Sequence, residues 1–138
     1  MKIFIDANLL IYLNTLKTLD KRIIYENFYL NLLSKYKAYT DVLVLDEVIY
    51  ISWRKYRAPY KISLEFINSI VLPFIEILPL GEAEYKKASE ILETHQIKPS
   101  DALHAAAMTL NNISKIASEY KEFDKIDGIT RIWISKNT

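Results

Sequence analysis

The chain has 138 residues, of which 51% are hydrophobic and 25% charged, and this indicates one globular domain over residues 1–138 with a substantial core. The absence of cysteine excludes disulfides and cysteine-ligated zinc, and the lack of a membrane-length apolar run or a secretory signal predicts a cytoplasmic protein without membrane contacts. The net charge of +1 does not indicate a nucleic-acid binder, so any such binding must come from local patches.

Short apolar strands alternate with amphipathic helices along the chain. Strands are predicted at 2–5, 38–40, 74–78, 115–118 and 130–134, and helices from residue 9 and at 20–36, 42–56, 62–71, 82–95 and 101–111. Asp20 and Ser100 are predicted to cap their helices, as is Thr40 or Asp41. Residues 42–45 could instead form a strand, because periodicity does not settle a short apolar run. This alternation predicts an α/β/α fold of three layers around a small, mostly parallel sheet.

Three acidic residues stand in otherwise apolar stretches. Asp6 ends the first strand, Glu47 lies inside LVLDEVIYI, and Asp101 opens the helix ALHAAAMTL. Each also has an ordinary explanation: a helix cap for Asp6, a solvent-facing position for Glu47 and a helix-end charge for Asp101. If they meet at one end of the sheet without a local basic partner, they repel one another unless a cation joins them. Mg²⁺ takes such oxygen ligands and suits phosphodiester hydrolysis.

Four segments resemble a known family in order and in spacing. FIDANLLIYL, LVLDEVIYI, KPSDALHAAA and SEYKEFDKIDGITRI are similar to the PIN-domain nucleases, and among them to the VapC toxins of type II toxin–antitoxin pairs. The resemblance implies a Mg²⁺- or Mn²⁺-dependent ribonuclease, a cognate antitoxin that blocks the site, and a homodimer. It also implies that Asp6, Glu47 and Asp101 are the three main acids of the family.

The fourth acid of the family pattern is missing from this chain. Tyr120 stands where many members have aspartate, so Glu119 is the predicted substitute, while Ser118 matches the small hydroxyl residue and Asn8 is a supporting residue. A PIN fold that has lost catalytic power and serves as a binding or scaffold module therefore stays open. A phosphatase of the haloacid dehalogenase type is disfavoured, because it needs a second aspartate where Asn8 stands.

Two further features have both a functional and an ordinary interpretation. The basic residues Arg54, Lys55 and Arg57 are interleaved with aromatic residues and could contact RNA, or could form an ordinary basic helix end. His104 lies one helical turn from Asp101 and could orient a scissile phosphate, although a single histidine on a helix is more often structural.

Overall fold

The computed structural model describes residues 1–134, and the predicted domain limit at residue 138 lies outside this range. The strands are β1 (Lys2–Ile5), β2 (Lys37–Asp41), β3 (Ile75–Leu78), β4 (Lys115–Ala117) and β5 (Thr130–Ile132). The α-helices are α1 (Ala7–Thr15), α2 (Leu19–Lys35), α3 (Val42–Tyr56), α4 (Tyr60–Phe66), α5 (Glu82–Thr94) and α6 (Pro99–Leu110). A π-helical turn, Ile67–Val71, continues α4, and a 3-10 turn, Lys121–Lys125, follows β4.

The strands form one parallel sheet in the order β3-β2-β1-β4-β5. The central strand β1 pairs with β2 on one side, where Ile3 faces Ala38, and with β4 on the other, where Ile5 faces Ala117. Its apolar residues are fully buried, as expected for a strand that is covered on both faces. The predicted α/β fold with a small parallel sheet is confirmed.

Two of the predicted helix caps are wrong. α2 begins at Leu19 after Thr18, which places Asp20 in the first turn. α6 begins at Pro99 after Lys98, so Ser100 is also inside the helix. Proline suits the first helical position because its fixed φ is helical and its missing N–H needs no partner there.

The cap predicted at Asp41 is confirmed, since its Oδ1 accepts a hydrogen bond from the Val44 N–H at 3.1 Å. Residues 42–45 form the first turn of α3 and are not a strand. Within residues 1–134, no helix has both the length and the apolar character that a membrane crossing requires.

The parallel arrangement brings polar side chains to one edge of the sheet. Asp6 follows β1, Asp41 ends β2 and Ser118 follows β4, so all three lie where neighbouring strands reach their carboxyl ends. In open α/β sheets this edge is the usual place for a ligand site.

Candidate active site

Asp6 is held rigidly at the centre of this edge. Its backbone N–H donates to the Ala117 carbonyl at 3.1 Å, and its Oδ1 accepts from the Ala7 N–H at 2.8 Å. Its Oδ2 accepts from the Ser118 hydroxyl at 2.6 Å. The side chain is 1% exposed. Asp6 therefore caps α1 and also presents a carboxylate of fixed orientation, so the two interpretations of this residue are compatible.

Glu47 and Asp101 lie within the electrostatic reach of Asp6. Burial, and then the negative charge of Asp6, raise the pKa of Glu47 above its usual range. The same two causes raise the pKa of Asp101 to about 6. Asp101 in turn raises the pKa of Glu47. The fold thus brings the three carboxyl groups, from the residue after β1 and from α3 and α6, into one neighbourhood.

The three acids can be tested for their fit to a metal ion. Within residues 1–134, no three aspartate, glutamate or histidine side chains are arranged so that they could enclose an ion by themselves. A Mg²⁺ ion, however, usually takes one or two carboxylates and keeps several waters. Burial is the main cause of the raised pKa values of Glu47 and Asp101, and the charge of Asp6 adds a repulsion that such an ion would relieve. The donor set therefore fits a hydrated divalent cation.

The expectation that the acids have no basic side chain nearby is wrong. The positive charge of Lys98 lowers the pKa of both Glu47 and Asp101, against the larger effects that raise them. Its Nζ lies 5.6 Å from the centre of the Tyr120 ring. Lys98 is three residues before Asp101, so the sequence KPSD already showed a basic residue close to one of the acids.

Ser118 and Asn8 connect the central strand to the segment after β4. The buried Ser118 hydroxyl donates to Asp6 and accepts from the Tyr120 N–H at 3.1 Å. The Asn8 Oδ1 accepts from the Glu119 N–H at 3.1 Å. These bonds fix the path of the chain past the acids, and a supporting role in the reaction stays a prediction for both residues.

Glu119 and Tyr120 point in different directions. The Tyr12 hydroxyl donates to Glu119 Oε1 at 2.6 Å, and the Glu119 side chain is exposed. Tyr120 is half-buried, and burial together with the charges of Glu47, Asp6 and Asp101 raises its pKa to about 12. β4 ends at Ala117, and the chain bends at Glu119. The fold therefore turns Tyr120 towards the three acids and does not bring Glu119 to them.

Comparison with known proteins identifies the fold. The family model of the PIN domain matches residues 3–129, which is most of the chain. The chain belongs to the PIN domain family. This result confirms the resemblance drawn from the four sequence segments.

Solved structures of the same fold come from toxin–antitoxin systems. This PIN domain is similar to VapC20 of Mycobacterium tuberculosis, with a TM-score of 0.71 and 16% identity over 88% of this chain and 92% of that one. It is similar to VapBC2 from Rickettsia felis, with a TM-score of 0.70 and 19% identity over 96% and 98%. It is also similar to a toxin–antitoxin complex from Klebsiella pneumoniae, with a TM-score of 0.68 and 15% identity over 93% of this chain and 95% of that one. No curated protein matches the chain in sequence.

His104 of this PIN domain contacts a buried acid that sequence reasoning treated only as a helix cap. Its Nδ1 lies 2.6 Å from Asp41 Oδ2, and both side chains are almost fully buried. Its ring also packs on Phe4, with centroids 5.4 Å apart. Burial lowers the pKa of His104, but the Asp41 hydrogen bond and charge raise it above its usual value. The position favours a structural role for this histidine.

The predicted RNA patch of the PIN domain continues from the acid site. Arg54 and Lys55 are exposed in the last turn of α3, and Arg57 is its C-cap. The exposed rings of Tyr50, Trp53 and Tyr60 form a row, with centroid separations of 6.2 and 5.7 Å. Tyr50 lines the cleft that also contains Glu47.

The placement of Glu119 gives a prediction about metal binding. We expect Glu119→Gln to leave Mn²⁺ affinity unchanged. The amide oxygen can still accept the hydrogen bond from Tyr12, and this bond holds the side chain at a distance from the acids. Tyr120→Asp adds a fourth carboxylate beside them and is expected to tighten Mn²⁺ binding, whereas Tyr120→Phe is expected to be nearly silent. Calorimetric titration measures all three. Weaker binding by Glu119→Gln would show that Glu119 leaves Tyr12 for the metal site.

The raised pKa of Asp101 gives a prediction about pH. The folded protein binds this proton with a pKa of about 6, against 3.8 for an ordinary aspartate, so metal-free stability is expected to fall as the pH rises from about 4 to 6. Asp101→Asn is expected to remove this loss and to stabilise the metal-free protein at pH 7 by about 1–3 kcal/mol. Urea unfolding in EDTA at pH 4.5 and 7 measures it. An unchanged pH dependence in the variant would contradict the assignment.

Proposed function

We propose that this PIN domain is a metal-dependent endoribonuclease that hydrolyses phosphodiester bonds in single-stranded RNA, and that it is the toxin of a toxin–antitoxin pair. The observation that carries the proposal is the meeting of Asp6, Glu47 and Asp101 at the carboxyl edge of the sheet. The structure of VapC20 is described as that of a toxin that cleaves the sarcin–ricin loop, which supports the same class of reaction here.

Asp6 and Asp101 would hold Mg²⁺ or Mn²⁺, and Glu47 would either share the ion or orient the attacking water. A bound divalent ion supplies stabilisation of the charge that develops on the phosphate and lowers the pKa of water. The half-buried Glu47 is suited to accept a proton from that water, since its pKa is raised. The water oxygen would then bond to phosphorus as the bond from phosphorus to the leaving ribose oxygen breaks, and that oxygen would take up a proton, without a covalent enzyme intermediate.

The substrate would approach along the basic face of α3. Arg54, Lys55 and Arg57 would contact phosphates, and the neighbouring rings would stack on bases. Charge removal at all three positions is expected to weaken RNA binding measured by fluorescence anisotropy. Unchanged binding by the triple glutamine variant would exclude this face.

The proposed partners are an antitoxin and a second copy of the chain. VapBC2 and the Klebsiella complex are toxin–antitoxin assemblies of similar fold. An arginine of the antitoxin would enter the acid site, because its guanidinium matches carboxylates in a bidentate manner and replaces the cation. Exposed apolar residues on α2, such as Ile24 and Leu30, suit a protein contact. Co-expression with the neighbouring genes and size-exclusion chromatography would test both partners.

Cleavage of single-stranded RNA by the purified protein tests the activity. We expect cleavage in Mg²⁺ or Mn²⁺ and none in EDTA. The second candidate function, a scaffold that binds RNA without cutting it, is favoured by the single observation that Tyr120 replaces an acid. RNA binding without cleavage in either metal would support the scaffold and overturn the nuclease.

A further inference from the structure

The ammonium group of Lys98 lies beside the acid site and has no role in the reaction proposed above. We propose that Lys98 binds the phosphate of the RNA substrate at the acid site, and that the Tyr120 ring holds its ammonium group in place. The inference rests on the proposed function and names the residue that receives the anionic substrate there.

Lys98 lies beside the acid site. Lys98 immediately precedes α6, and Asp101 lies in the first turn of that helix. The Lys98 side chain is exposed, and its Nζ lies 5.6 Å from the centre of the Tyr120 ring. A cation over an aromatic face at this distance is attracted by the ring. Tyr120 itself is near Glu47, Asp6 and Asp101, so the ammonium group is held beside the acids and remains open to solvent.

Charge balance also favours this role of Lys98. Three carboxylates and one divalent cation carry a net charge of about −1, and this would repel an approaching phosphodiester. The ammonium group of Lys98 brings the sum to zero, so a single metal ion is enough for the site to accept an anion. The flexible four-carbon side chain of lysine also lets the ammonium group move from the ring to a phosphate oxygen.

The chemistry of Tyr120 favours the same role of Lys98. An aspartate at this position would compete with the substrate for Lys98 by forming an ion pair. The phenol ring positions the ammonium group without neutralising it, because a tyrosine hydroxyl carries no charge at neutral pH. The tyrosine therefore leaves the positive charge available to RNA.

RNA affinity without metal tests the proposal separately from catalysis. In EDTA, we expect Lys98→Met to weaken binding of a fluorescein-labelled single-stranded RNA by about fivefold at 0.1 M salt. The slope of the logarithm of the binding constant against the logarithm of the salt concentration is expected to fall by the amount of about one phosphate contact. Lys98→Arg keeps the charge and is expected to bind like wild type. Tyr120→Leu is expected to weaken binding less, with the salt dependence retained. Melting temperatures of the Lys98 variants are expected to match wild type, since the side chain is exposed.

Each result has a definite meaning. Wild-type affinity and salt dependence in Lys98→Met would overturn the proposal, as would equal losses in Lys98→Met and Lys98→Arg. Asp101→Asn serves as the charge reference, because removal of a negative charge from the site is expected to raise metal-free RNA affinity. RNA binding that is absent in wild type without metal would overturn the role of Lys98, whereas the absence of RNA cleavage in Mg²⁺ and Mn²⁺ would overturn the proposed function itself.

Discussion

Asp6→Asn is expected to reduce RNA cleavage by about 10²–10³-fold while the protein stays folded. The asparagine oxygen can still accept from the Ala7 N–H, and the Ser118 hydroxyl can rotate to accept from the new amide. What is lost is the negative charge at the centre of the acid site. This substitution therefore separates the chemical role of Asp6 from its role as a helix cap.

The same substitution is expected to weaken Mn²⁺ binding in calorimetry and to leave metal-free stability equal or higher. The reason is that the charge of Asp6 raises the pKa of both Glu47 and Asp101, so its removal relieves repulsion. Asp20→Asn is the matched control, because Asp20 is exposed in the first turn of α2. Cleavage by Asp6→Asn at the wild-type rate would exclude the mechanism proposed for this site.

Asp41→Ala is expected to lower the free energy of unfolding by about 3–5 kcal/mol, the usual cost of leaving one partner of a buried ion pair alone. Its two carboxylate oxygens have different partners: Oδ1 caps α3 through Val44, and Oδ2 bonds His104 at 2.6 Å. Removal of the side chain therefore eliminates both the cap of α3 and the hydrogen bond to His104 in α6. A loss of this size is a large fraction of the stability of an ordinary domain.

Urea unfolding measures the effect, and Asp41→Asn, which keeps the cap acceptor, reports on the pair if the alanine variant does not fold. The folded pKa of His104 is raised, so the contribution of the pair is present below about pH 6.5 and is lost as the pH rises through the folded value. Glu76→Gln, in the exposed pair with Lys37, is the control and is expected to cost about 0–1 kcal/mol. A similarly small cost for Asp41→Ala would contradict the argument.

Local sequence signals predicted the elements that surround the site. β1 could be recognised because KIFI is apolar, too short for a helix, and followed at once by Asp6. The caps were less predictable, because lysine is not a favoured cap residue at position 98, and both Thr18 and Asp20 are of types that cap helices. When a favourable cap residue stands close to the true helix start, the cap is predicted at that residue instead. This explains the wrong predictions at Asp20 and Ser100.

Contacts between distant segments could not be predicted in the same way. Asp41 and His104 are 63 positions apart, and no periodicity relates them. The direction of Tyr120 depends on the hydrogen bond from its N–H to Ser118, which itself depends on how β4 lies against β1. Sequence therefore indicated which residues carry charge near the site, whereas the packing of β4 decided whether Glu119 or Tyr120 faces the acids.

The place of β4 beside β1 also affects when the protein can become active during its own synthesis. Asp6 is made first, yet its carboxylate is oriented by Ser118, which is translated 112 residues later. A nascent chain that ends after α6 already contains Asp6, Glu47 and Asp101 but lacks the strand that fixes the first of them. For the proposed nuclease, this order delays the completed site until β4 has been synthesised and can pair with β1.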